Sequence, residues 1–158
     1  MNKYGFAIAL CLFALSAGAA SPAPAVYQKA VKADIDTTQK KLSDALDNGG
    51  FAVVRELDIG ANLAKFAGKW GADYNRNKLE NIRSIVFCNG RFTNQISNED
   101  PAMLALCPLH VTLIHKAGVT TVLFARPSSV AQGSKAVKTV QEMEQAVIEV
   151  IDKSLGGK

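Results

Sequence analysis

The sequence predicts a single α+β domain in which helices cover one side of a β-sheet. Its 158 residues are enough for one domain with a sizeable core. Two runs, Leu109–Lys116 and Val119–Arg126, alternate apolar and polar residues around an Ala117-Gly118 turn, as half-buried strands do. Near the C-terminus, Val137, Val140, Met143, Val147, Ile148 and Ile151 recur at helical spacing and mark an amphipathic helix. The order helix, strand, helix, strands, helix points to an α+β architecture with helices gathered on one face.

The first residues are set apart from the fold. Lys3 followed by an uncharged apolar run, Gly5 to Leu15, and the small residues Ala17 to Ala20 has the layout of a signal peptide over 1–20. The run is shorter than the roughly 20 apolar residues a membrane span requires, and no later segment reaches that length. The expected product is therefore exported, periplasmic or secreted, with no membrane span. Cys11 follows the bulky Leu10 and comes too early for a lipid anchor, so it belongs to the discarded segment. Loss of Lys3 leaves 17 basic and 14 acidic residues, a net charge of +3. Lys29, Lys32, Lys40 and Lys41 are interspersed with Asp34 and Asp36, which is a solvated surface and not the clustered basic face of a nucleic-acid binder.

Residues 21–35, with two prolines and several small side chains, read as a flexible leader, and the domain is expected over 36–153 with a disordered tail at 154–158. Asp36 is placed to cap a helix over 37–47 that ends at Asn48-Gly49-Gly50. Phe51–Glu56 reads as a strand, and Asp58 as the cap of a second helix presenting Ile59, Leu63 and Phe66. Trp70 and Tyr74 just beyond it suit packing against the helix end, with an aromatic ligand patch as the alternative. Ile82–Cys88 is the next strand. After it, Asn89-Gly90 is a strong hairpin signal, whereas Phe92, Gln95, Ile96 and Glu99 fit a short helix, and local pattern leaves the two open. Asp100-Pro101 reads as a cap and first-turn proline of a brief helical turn through Ala105.

Cys88 and Cys107 are the two thiols of the mature chain. In an oxidising compartment such a pair tends to become a disulfide. If the strands they flank are antiparallel neighbours, their ends meet. A parallel crossover would instead leave them about 20 Å apart, beyond the Cα separation of about 7 Å that a bond tolerates. A structural disulfide is favoured over two buried free thiols, with a reactive or metal-binding thiol third. His110 and His115 are the only histidines, and their odd separation sends them to opposite faces of a strand. Cys107 with His110, or haem ligation by one histidine, stays the minor cofactor alternative in the absence of a C-x-x-C-H attachment motif. There is no C-x-x-C, G-x-S-x-G or glycine-rich phosphate loop, and thus no positive support for catalysis.

Gly50-Phe51, Val53, Glu56 and Asp58, then Cys88-Asn89, Asp100-Pro101 and Pro108, resemble the pattern of the domain of unknown function 302 family, over roughly Asp36 to Arg126. Gly90 stands where that pattern has proline, and the second cysteine precedes Pro108 where the pattern has it following. The resemblance implies a compact α+β domain with a curved, mainly antiparallel sheet, a dimeric state, and a helix after Cys88. It implies no particular activity and transfers no site residue. The resulting expectation is an exported, non-enzymatic binding module, self-associating as a homodimer, with no cofactor. Cys88 and Cys107 are its disulfide candidates, and His110 and Asn89 its weak ligand-binding candidates. The rival is a redox, haem or metal protein using Cys88, Cys107 or His110.

Overall fold

A computed structural model of the chain describes residues 24–156. The expected signal peptide, Cys11 included, lies outside the described residues. The described chain forms one α+β domain around a five-stranded, wholly antiparallel sheet: β1 (Val26–Val31), β2 (Ala52–Asp58), β3 (Asn81–Cys88), β4 (Leu109–Lys116) and β5 (Val119–Ala125), in the order β1-β5-β4-β3-β2. Five helices accompany it: α1 (Ile35–Asn48), α2 (Ile59–Ala64), α3 (Ala67–Trp70), α4 (Gly90–Glu99) and α5 (Val137–Ser154).

Strand alternation sorts the sheet into two faces. Ile85 and Phe87 of β3, Leu109, Val111 and Leu113 of β4, and Val122 and Phe124 of β5 point to one side and are buried. There they meet Leu42 and Leu46 of α1 and Val140, Met143, Val147 and Ile151 of α5 in one continuous core. Phe51 closes the core at the start of β2, edge-on to Phe87 at 5.9 Å and stacked on Phe92 of α4 at 6.3 Å. Two glycines make the α1–β2 corner possible. A side chain at Gly49 would meet Val150 of α5 at 3.0 Å, and Gly50 holds φ +79°, a left-handed conformation that glycine adopts freely.

Several boundaries differ from expectation. The segment read as a flexible leader contains β1, which pairs with β5 from Val26–Ala125 to Val31–Thr120. Tyr27 and Lys29 tie it further, donating to Asp152 of α5 at 2.6 and 3.0 Å. Helix α1 begins earlier than expected because Asp34, not Asp36, is the cap: its Oδ1 accepts from the Thr37 N–H at 2.8 Å. Asp36 instead pairs with Arg83 of β3. Asp58 caps α2 by accepting from the Ala61 N–H, as its position suggested. The choice after Cys88 resolves to helix. At the other end, α5 runs through Ser154, and Leu155 packs on the core in what was expected to be tail.

Glu144 of α5 is buried beneath the β5 exit, accepting from Arg126 Nη1 at 2.7 Å and from the Ser128 N–H at 2.9 Å. Burial pushes its carboxyl up, but the Ser128 bonds and the Arg126 charge outweigh that and hold it below the ordinary glutamate value. A carboxyl lowered in the folded state adds stability above its unfolded pKa and withdraws it as pH falls through the folded value. Unfolding by urea across that acid range will therefore show a smaller loss of stability for Glu144→Gln than for the parent, the variant being the weaker of the two at neutral pH. Leu46→Ala, which empties a fully buried position between α1 and the sheet, is expected to cost about 2–5 kcal/mol in the same assay.

Candidate functional site

The two ends of β3 carry the two places where chemistry-bearing side chains gather. At its C-terminal end, Cys88 lies beside Cys107, which Pro108 separates from the start of β4 at Leu109, with 3.3 Å between the sulfurs. Antiparallel pairing of β3 with β4 brings them together, since the end of one strand lies beside the start of the next. Both cysteines are half-buried, and the sulfurs face each other with no bond between them. Thr93, in the first turn of α4, stands over the pair. Its hydroxyl lies 3.3 Å from the Cys88 sulfur and 3.1 Å from that of Cys107, and it donates to the Asn89 carbonyl. Burial raises the Cys107 thiol above its ordinary pKa. Thr93 opposes that shift and neighbouring Cys88 adds to it.

Asn89 has both ends of its amide engaged in holding this corner. Oδ1 caps α4 by accepting from the Phe92 N–H at 3.0 Å, and Nδ2 donates to the Gly50 carbonyl at 2.9 Å. This cap explains why the Asn-Gly pair opens a helix and not a hairpin. The next helical piece starts equally clearly: Asp100 accepts from the Ala102 N–H and Pro101 begins a 3-10 turn, Pro101–Leu106. His110 is not part of the thiol cluster's hydrogen bonding. It sits on the opposite face of β4 from Leu109 and Val111, exposed, beside Val86 of β3. His115 is a packed residue of the other face, its Nδ1 2.8 Å from the Thr120 hydroxyl. Among the described residues, no group of three or more His, Cys, Asp or Glu side chains is arranged to hold a metal.

At the N-terminal end of β3 the chain makes a long excursion. Strands β2 and β3 are hydrogen-bonded neighbours that a two-residue turn could join. Instead residues 59–80 form α2, α3, a 3-10 turn (Gly71–Asp73) and a loop, and the helices bury none of their residues. A cleft of about 510 Å³ opens between this lobe and the start of β3. Its walls include Asp58, Trp70, Tyr74, Arg76, Glu80 and Asn81. Trp70 stacks on Phe66 at 5.2 Å, yet the two remain 42% and 47% exposed. The aromatic pair therefore fixes the end of the lobe without entering the core. The loop is braced where it rejoins the sheet: Asn75 binds Leu79 through both amide ends, and Glu80 accepts from the Ala117 N–H. Sequence reading singled out Trp70 and Tyr74 but not the acids and amide opposite them. The signal that could have found the cleft was the length of the β2–β3 connection.

Residues 27–154 match the family model for the domain of unknown function DUF302. The chain belongs to this family. Among solved structures, the DUF302 domain superimposes on the crystal structure of an uncharacterized conserved DUF302 protein from Bacillus stearothermophilus. The TM-score is 0.70 at 17% identity, over 83% of this chain and 98% of that one. At that identity the likeness speaks for the fold. No curated protein matches the chain. Family membership confirms the resemblance seen in the Gly-Phe, Cys-Asn and Asp-Pro steps and extends it to β1 and α5.

Proposed function

We propose that this DUF302 domain is an exported binding module that takes a small molecule in the β2–β3 cleft and pairs with a second copy of itself. The observation that carries the first half is the cleft. A lobe of about twenty residues that buries no core contributes little to folding, and long connections of this kind in compact domains are commonly functional. The volume of about 510 Å³ falls in the range of small-molecule sites. Trp70 and Tyr74 offer aromatic surface. Asp58, Asp73 and Glu80 outnumber Arg76, which lies 4.0 Å from Asp73. The wall thus suits a ligand with an apolar ring and a cationic or hydrogen-bond-donating end. No cofactor enters this reading. Export rests on Lys3, the apolar run to Leu15 and the small residues at 17–20, and places the protein in the periplasm or outside the cell. Among the described residues no helix is long and apolar enough to cross a membrane.

Trp70 is the only tryptophan in the chain, so its emission reports directly on the cleft. Phenethylamine is expected to shift that emission saturably, and its anionic counterpart, phenylpropionate, to do so less. Calorimetry on Trp70→Leu and Tyr74→Ala is expected to show weakened binding with an unchanged fold. Emission indifferent to both probes, or binding that survives both substitutions, would remove the cleft from the proposal.

The second half rests on the sheet face opposite α1 and α5. Ile82 and Val86 of β3, Thr112 and Ile114 of β4, and Thr121 and Leu123 of β5 share it, and Ser84 between them is only 3% exposed. Five strands spaced about 4.8 Å and about seven residues long present on the order of 500 Å² of flat face. Side-chain relief raises this toward the ~800 Å² per partner typical of a stable interface. A second copy is the occupant such a face fits, because one patch meeting itself about a two-fold axis closes the assembly. Sedimentation equilibrium should give a dimer for the parent and a monomer with an unchanged circular dichroism spectrum for Ile114→Lys. A parent that stays monomeric at every concentration would end this half of the reading.

A further inference from the structure

The cysteine corner has a use that ligand binding in the cleft does not touch. The two sulfurs stand 3.3 Å apart, within easy reach of a bond. The segment between them is held by the Asn89 and Asp100 caps, by buried Ile96, and by Phe92, Met103 and Leu106 packed on the core. These contacts hold the connection independently of the sulfurs. Alternation along β3 puts Phe87 into the core and Cys88 on the opposite side, where its neighbour on the edge strand is Ala52, exposed and too small to cover it. Cys107 is half-buried like Cys88, and burial together with the neighbouring thiol favours its protonated form. The hydroxyl of Thr93, its own proton given to the Asn89 carbonyl, lies within hydrogen-bond reach of both sulfurs and can accept from either thiol.

We propose that Cys88 and Cys107 form a thiol–disulfide exchange pair, with Cys88 attacking the disulfide of an oxidised thiol compound and Cys107 resolving the mixed disulfide. In the first step Cys88 gives its proton to solvent and its sulfur forms a bond to one sulfur of the substrate; the substrate S–S bond breaks, and the departing thiolate takes up a proton. In the second, Cys107 gives its proton to solvent. Its sulfur bonds to that of Cys88, and the remaining substrate thiolate leaves and is protonated. The two cysteines lose two electrons, and one disulfide becomes two thiols. Thr93 is a positioning residue whose hydroxyl oxygen, 3.3 Å from one sulfur and 3.1 Å from the other, holds the two side by side. The spacing is not C-x-x-C. The fold replaces that motif by setting the end of one strand beside the start of its antiparallel neighbour.

The test uses the purified protein in its reduced state, with glutathione disulfide in one arm and disulfide-bonded insulin in the other, so that small and protein sources of the same chemistry are told apart. Reaction in either arm is expected to produce an intramolecular Cys88–Cys107 bond that dithiothreitol reverses without denaturant. Cys107→Ser is expected to accumulate a mixed disulfide on Cys88, located by peptide mass. Thr93→Val should slow the resolution step several-fold while leaving the circular dichroism spectrum unchanged. A bond that resists dithiothreitol until the protein is unfolded would identify a structural staple and overturn the proposal. So would a Cys88→Ser variant that captures glutathione on Cys107 as fast as the parent does on Cys88. Neither result bears on the emission of Trp70, so failure here leaves the cleft reading standing.

Discussion

One-sided burial of a single sheet is the constraint from which the rest of this molecule follows. Apolar side chains on a strand are sorted by a period of two, so each strand offers half its residues to each face. Here only α1 and α5 are long enough to lie across the sheet, and both take the same face. That face carries the fully buried positions of β3, β4 and β5. Everything chemically interesting is therefore displaced to where the two long helices do not reach: the ends of the strands and the opposite face. The capped turns at Asp34, Asn89 and Asp100 keep the helical pieces from sliding across that boundary, each meeting an N–H that would otherwise be left unpaired.

Strand β3 is the axis that separates the two candidate sites. The cleft opens at Asn81 and the thiols sit at Cys88, about 23 Å apart along an extended strand of this length. The connections differ correspondingly. Strands β4 and β5 are joined by the tight Ala117-Gly118 turn, both residues at positive φ. The connections on either side of β3, by contrast, are long and carry the residues that can meet a ligand or another sulfur. An inner strand hydrogen-bonded on both sides, to β2 and β4, is a rigid spacer, so occupation of one end has no evident route to disturb the other.

The regular parts of the fold were readable because they obey local rules. Strands β4 and β5 alternate cleanly, α5 keeps its apolar stripe at helical spacing, and Asp100-Pro101 and Asp58 sit where a helical turn must begin. The misreadings fall where a distant partner decides. Strand β1 has the small residues and flanking prolines of a linker, and becomes a strand because β5 offers an open edge and Asp152 receives Tyr27 and Lys29. Asp34 and Asp36 are equally good caps on paper, and Arg83 from another element claims the second. The sulfur pair was legible as two alternatives, and antiparallel pairing of β3 with β4 selects the one in which they meet. The cleft was not legible, since its walls come from β2, two short helices and the start of β3, and a hollow is a property of how these stand to one another.

The edges of the sheet bear on how two copies would meet. Exposed strand edges invite further pairing unless they are blunted. At one end β2 is broken by the register shift at Val54, whose side chain is 66% exposed, and the rest of the strand carries Arg55, Glu56 and Asp58. A bulge of this kind twists the strand and removes the regular ladder that an incoming strand would need. At the other end β1 is six residues long, with Lys29 drawn inward to Asp152 and Lys32 following directly. Both rims are thus poor templates for edge-to-edge extension, which would in any case propagate and not close. The face opposite α1 and α5 has neither defence. It presents Ile82, Ile114 and Leu123 with few charges among them, and contact through it would close after two copies, as the proposed dimer requires.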